Sequence, residues 1–182
     1  KIAESLGSMG IDVVSGGGPG IMEAANRGHE AGKKKAHNGD THSYGLTIKL
    51  PQEQHDNKHF DMKKDFQQFS ARLDYFIQLS NAVVVAPGGV GTLLEFLYTW
   101  QLIQVEHIYD IPIIMLGEQW KHLLEWVKKG PLKEGLLKKE DLDSIYVVNT
   151  AEEAIKVIKM ANEIYKKAVD FKHEYIRKVV RK

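Results

Sequence analysis

An apolar run, Ala82-Val83-Val84-Val85, leads into Ala86-Pro87-Gly88-Gly89-Val90-Gly91-Thr92-Leu93-Leu94-Glu95 and then into an apolar-periodic segment, Leu93 to Ile103. This order of strand, glycine turn and helix constrains the chain more than any other feature. An uninterrupted apolar strand followed directly by a helix calls for a parallel sheet covered on both faces. Glycines let the backbone approach an anion closely, and the free N–H groups at the positive end of a helix hold it. Gly88, Gly89, Val90, Gly91 and Thr92 are therefore expected to bind a phosphate. Glu95, one turn into the helix, points to a ligand with a phosphate at one end and hydroxyls, or a reacting carbon, nearby.

The same grammar recurs. Ile11 to Val14 reads as a strand, Gly16-Gly17-Gly18-Pro19-Gly20 as a turn with Pro19 suited to the first helical position, and Ile21 to Ala31 as a helix closed by Gly32. Tyr44 to Leu50 reads as a strand ended by Pro51, Gln52 to Lys64 as a polar connection, and Phe66 to Leu79 as a helix. Ile111 to Leu116 and Ile145 to Val148 read as strands, Trp120 to Lys129 as a helix, and Ala151 onward as a long helix. Lys33 to His42 reads as a loop. Strands alternating with helices give an α/β fold: a single Rossmann-like, doubly wound domain over residues 1–182, with a C-terminal helical extension over 151–182. The chain opens on a helix, Lys1 to Met9, so a further strand is expected upstream of Lys1.

Composition removes several function classes. The formal net charge is +1 over 182 residues, which makes no global case for nucleic acid or membrane binding. There are no cysteines, so disulfides, thiolate nucleophiles and cysteine metal sites are excluded. No apolar run approaches the roughly 20 residues of a membrane span, and no secretory signal is visible. A cytoplasmic protein is the expectation.

Neither glycine turn is a dinucleotide fingerprint or a P-loop. Ile21 stands where the last glycine of G-x-G-x-x-G belongs, and both turns lack the P-loop lysine. No G-x-S-x-G elbow occurs. His55 and His59 lie four apart in a polar stretch without a third ligand, so no metal is expected. Two turns at the strand ends of one parallel sheet can face the same crevice, which adds Gly17, Gly18 and Gly20 to the expected substrate contacts. Thr92-Leu93-Leu94-Glu95 also fits a capping box, a purely structural account of Glu95. Arg72, between Phe69, Leu73 and Phe76, fits a snorkelling surface residue as well as a guanidinium reaching into a pocket. As a surface residue it would cost under roughly 0.5 kcal/mol to replace. The basic stretch Lys166 to Lys182 reads as a solvated helix face.

Pro87-Gly88-Gly89-Val90-Gly91-Thr92-Leu93-Leu94-Glu95 resembles the P-G-G-x-G-T-x-x-E signature of LOG-type phosphoribohydrolases, and Gly16 to Asn26 is similar to that family's first glycine turn. The resemblance spans Lys1 to about Val148. It implies cleavage of nucleoside 5′-monophosphates, AMP or cytokinin ribotides, into free base and ribose 5-phosphate. It also implies catalytic roles for Arg72 and Glu95, no cofactor, and at least a homodimer. The family's usual R-K pair is here Arg72-Leu73. An older description of such proteins as lysine decarboxylases finds no marked pyridoxal phosphate lysine in this chain.

An ionised carboxylate beside the ribose suits that chemistry, because breaking the N-glycosidic bond develops positive charge on the sugar. Proximity to the helix N-terminus is expected to favour the ionised form of Glu95. Arg72 is expected either to hold phosphate or to assist departure of the base. A non-catalytic nucleotide carrier or sensor is the alternative. Apolar residues around most of the girth of the helices Phe66 to Leu79 and Leu93 to Ile103 add a reason of their own to expect a two-fold homodimer.

Overall fold

A computed structural model describes residues 1–37, 39–48 and 57–180, with the backbone alone over 168–180. The chain runs α1 (Ile2–Ser8), β1 (Val13–Ser15), α2 (Ile21–Lys35), β2 (Ser43–Ile48), β3 (Met62–Phe66), α3 (Phe69–Leu79), β4 (Val83–Val85), α4 (Val90–Gln104), β5 (Ile113–Leu116), α5 (Gln119–Val127), β6 (Ile145–Val148) and α6 (Ala151–Val180). All strand pairs are parallel, and they form two three-stranded sheets, β1-β2-β3 and β4-β5-β6. The α/β class with parallel strands and intervening helices is therefore as the pattern demanded. The residues group into two compact units, Lys1–Ser80 with Gly89–Thr99, and Asn81–Gly88 with Trp100–Lys182; the division falls within α4.

In the first unit β2 is central. Leu46, Ile48 and Phe66 are buried along the sheet, and Ser43 and Thr47 lie buried beside them. The alternation over Tyr44 to Leu50 suggests one covered face, but Leu46, Thr47 and Ile48 are buried in succession, so both faces of β2 are covered. β3 was hidden in the expected polar connection, because Met62 to Asp65 are exposed and only Phe66 is inside. An edge strand needs one apolar contact, and its lysines protect the open edge. Phe66 thus ends β3 instead of starting α3.

Gly32 does not close α2, which continues to Lys35. A Cβ at Gly32 would lie 1.9 Å from the Glu4 carbonyl oxygen, and one at Gly7 would lie 2.3 Å from the His29 carbonyl oxygen. These glycines let α1 and α2 cross at backbone contact, and Ser8 Oγ donates to Gly32 O at 3.1 Å across it. His29 is fully buried there, and burial lowers its pKa.

In the second unit Ile113, Ile114 and Met115 of β5 are wholly buried. Ala154 and Ile158 of α6, with Trp120, Leu124 and Val127 of α5, supply further core. α6 is opened by a reciprocal cap. Thr150 Oγ1 accepts from Glu153 N at 3.2 Å, while Glu153 Oε2 accepts from Asn149 N at 2.8 Å and from Thr150 N at 3.3 Å. No helix among the described residues is long and apolar enough to cross a membrane.

The two kinds of helical glycine in α2 have opposite expected responses. Gly32→Ala forces backbone against backbone and should lower stability by about 1–3 kcal/mol despite alanine's better propensity. Gly28→Ala places its Cβ 3.4 Å from Glu4 N and 3.5 Å from Ala3 Cβ, ordinary contact. It should stabilise by up to about 1 kcal/mol. Urea denaturation of the two variants checks the pair; equal shifts would refute the crossing-glycine account.

Candidate functional site

Arg72 lies two residues before Asp74 on α3, and its side chain is 11% exposed rather than on the surface as a snorkelling reading requires. Its Nε donates to Leu46 O at 2.7 Å. Its guanidinium carbon lies 5.1 Å from the centroid of the Phe76 ring. That carbonyl belongs to the last part of central strand β2, so the sheet itself aims the arginine. Nη1 then lies 3.3 Å from Glu95 Oε1 on α4. Tyr98 Oη donates to Asp74 Oδ1, a second side-chain bond between α3 and α4 on the turns next to Arg72 and Glu95.

Glu95 is not a cap. α4 begins at Val90, and Leu93 N donates to Gly89 O at 3.0 Å, which makes Gly89 the capping residue and puts Thr92 inside the first turn. Glu95 is the sixth helical residue, with its side chain 38% exposed. Its carboxyl is pushed above the ordinary carboxylate range by burial, with the Arg72 charge pulling the other way. The expectation that the helix terminus sets its charge is thus replaced: burial dominates, and the arginine is the counterweight.

The first glycine turn reaches the same place through Arg72. A Cβ on Gly16 would lie 2.4 Å from Arg72 Nη2 and 2.6 Å from Met22 Sδ, so only glycine allows that approach. Gly17 and Gly20 have φ of 71° and 73°, the left-handed region that favours glycine. Gly17 N donates to Ser15 Oγ at 3.1 Å, and Ser15 Oγ donates to Asn26 Oδ1 at 2.5 Å. α2 starts at Ile21, so Pro19 precedes the helix by two residues, and Gly20 is its cap without a side-chain bond.

In the second turn Gly88 to Gly91 are exposed and Val90 is 83% exposed. A Cβ at Gly89 or Gly91 would meet nothing within 4 Å, and neither residue has a positive φ. Packing among the described residues does not require glycine at either place.

Sequence reasoning passed over Asn57, which is buried and bonded to the first turn. A buried amide in a polar stretch leaves no periodic trace, and only the resemblance to a glycine-turn family drew attention to its partner Asn26. His55 lies outside the described residues. His59 Nδ1 is bonded to Glu30 Oε2 at 2.9 Å. Among the described residues no group of three or more His, Asp and Glu side chains is placed to hold a metal. A surface groove on α6, lined by Ile155, Lys156, Met160 and Ile164 among others, shares no residue with the Arg72–Glu95 constellation.

The family model described as "Possible lysine decarboxylase", that of the LOG family, matches residues 22–158, and the chain belongs to this family. It is 26% identical over 120 residues to the pyrimidine/purine nucleotide 5′-monophosphate nucleosidase of Escherichia coli K12, and equally to those of strains O6:H1 and O157:H7. The match covers 64% of this chain and 26% of each relative, so the chain spans about a quarter of their length. The molybdenum cofactor carrier protein of Chlamydomonas reinhardtii has a similar fold, with a TM-score of 0.63 and 18% identity over 89% of this chain and 84% of that one.

Glu95 has a defined signature in stability. A carboxyl whose folded pKa is raised contributes stability that is fully present below its unfolded pKa and is lost as pH rises through the folded value. Glu95→Gln removes that titration. The variant should therefore gain melting temperature relative to the unmodified chain as pH rises from 4 to 8; a difference that stays constant with pH would contradict the burial argument. Arg72→Met should cost about 1–3 kcal/mol, because it strands the buried Leu46 carbonyl. A cost under 0.5 kcal/mol would restore the surface reading.

Proposed function

We propose that the chain hydrolyses the N-glycosidic bond of a nucleoside 5′-monophosphate, AMP or a cytokinin ribotide, to free base and ribose 5-phosphate. Water adds through oxygen to C1′, the C1′–N bond breaks, and the base leaves with the electron pair and a proton. The observation that carries this reading is the Arg72–Glu95 pair standing against the first glycine turn. A partly desolvated carboxylate interacts strongly with positive charge growing on a ribose ring. Arg72 opposes the effect of burial and favours the ionised form of Glu95. In this reading its guanidinium supplies the cation that a phosphate or a departing base needs.

The phosphate belongs, in this reading, on Gly89, Val90, Gly91 and Thr92, with Gly17, Gly18 and Gly20 supplying further backbone contacts. Glycines that the fold does not need make sense if a ligand needs their bare backbone. Membership of the family and the nucleosidase relatives support the substrate class. We also propose a two-fold homodimer through α3 and α4, supported by the exposure of Phe69, Val90, Leu94 and Leu97.

A carrier that binds nucleotide without cleaving it is the second reading. Leu73, 7% exposed, stands where the family's lysine would be and adds no charge beside Arg72. The similar fold of a molybdenum cofactor carrier protein supports this second reading.

Incubation with AMP separates the readings: free adenine supports the hydrolase, and bound intact AMP supports the carrier. In the hydrolase, Glu95→Gln should lower base release on the order of 10²-fold with KM little changed. Gly91→Ala should raise KM about tenfold, the equivalent of roughly 1.4 kcal/mol, without lowering the melting temperature. Full activity in Glu95→Gln would overturn the mechanism. Sedimentation as a monomer would overturn the dimer.

A further inference from the structure

We infer that Asn57 is the positioning residue of the first glycine turn, aiming the Gly18 N–H at a phosphate monoester; the inference rests on the nucleotide reading above. Asn57 is 6% exposed. Its backbone N–H donates to Gly17 O at 3.2 Å, and its Nδ2 donates to Gly18 O at 3.2 Å and to Asn26 Oδ1 at 3.3 Å. One residue therefore grips two consecutive carbonyls of the turn.

The consequence follows from peptide geometry. No cis bond occurs among the described residues, so each carbonyl of this turn points opposite to the N–H that follows it. Holding Gly17 O on Asn57 turns the Gly18 N–H away from Asn57. Holding Gly18 O exposes no donor, because the next residue is Pro19. Gly17 N is already taken by Ser15 Oγ. Gly18 is thus left with its N–H outward, and that N–H meets no acceptor among the described residues. Pro19 also explains why a side chain must do the holding: the turn has one fewer backbone donor of its own.

Asn57 is itself held. Its Oδ1 accepts from His59 N at 3.0 Å, and the His59 ring is bonded to Glu30 on α2. Ser43 Oγ donates to His59 O at 3.1 Å, which ties the segment to the start of β2. The amide therefore has a fixed orientation and a donor where a carboxylate of the same shape would have none.

The test uses the full chain and AMP. In Asn57→Asp the new carboxylate faces Gly18 O and Asn26 Oδ1, both acceptors; Asn57→Ala removes the donor without adding charge. Calorimetry should show AMP binding weakened at least tenfold in both variants. In base release the loss should fall on KM, with kcat within about threefold. In amide NMR spectra the Gly18 resonance should shift on AMP addition in the unmodified chain and stay unmoved in the variants, with the remaining spectrum dispersed as before. Unchanged affinity in a folded variant, or loss of kcat at constant KM, overturns the role of Asn57 and leaves the nucleotide reading standing. Failure of both variants to fold overturns it in favour of a structural amide. Failure of the unmodified chain to bind AMP overturns the nucleotide reading and this inference together.

Discussion

The hydrogen bond from Arg72 Nε to the carbonyl of Leu46 is the interaction on which the candidate site depends. A guanidinium at the surface would sample many rotamers and have no defined neighbour. Anchored to a central strand and laid over Phe76, it has a fixed reach to Glu95 on one side and to Gly16 on the other. The local fold supplies that anchor: β2 is buried on both sides, so its carbonyl is out of water and its bond to a cation is strong. Everything proposed about charge at the site passes through this residue. Glu95 is pushed toward the protonated form by burial, and the nearby guanidinium opposes that.

The glycines of this chain do several kinds of work, and composition cannot separate them. Gly7 and Gly32 are packing residues that allow two helices to touch along their backbones. Gly17 and Gly20 are conformational, required by φ. Gly16 is required by the approach of Arg72. Gly89 and Gly91 are required by nothing among the described residues. That last class is the informative one, since a residue with no internal reason to lack a side chain asks for an external one. Asn57 complements the set by supplying from a side chain the control over turn carbonyls that Pro19 prevents the turn's own backbone from supplying.

Thr-x-x-Glu occurs twice with different results. At Thr150–Glu153 the box closes and opens α6. At Thr92–Glu95 the same letters carry no cap, because α4 begins two residues earlier, on Val90 after Gly89. Four letters identify two groups that can satisfy helix N–H donors; they do not locate the residue at which the helix starts. The start depends on the preceding turn, and a turn of small, exposed residues lets the helix extend back through it. Glu95 is released from capping by that extension, which leaves its carboxylate available to Arg72.

What the sequence determined by itself is the α/β alternation, the parallel pairing and both glycine turns, because apolar strands and Gly–Pro punctuation are local signals readable along the chain. The P-G-G-x-G-T-x-x-E stretch likewise pointed to the family before any coordinate. Strand β3 escaped because an edge strand with one buried residue has no period to read. The stop placed at Gly32 failed because a crossing helix, distant in sequence, decides what that glycine is for. Only the tertiary structure decided that Arg72 is buried, that Glu95 faces it, and that Asn57 holds the first turn. Each of these rests on a bond between residues well separated in sequence: Arg72 to Leu46, Glu95 to Arg72, Asn57 to Gly18. A local pattern records which groups are present; burial and partner, which set charge and direction, exist only once distant segments have been brought together.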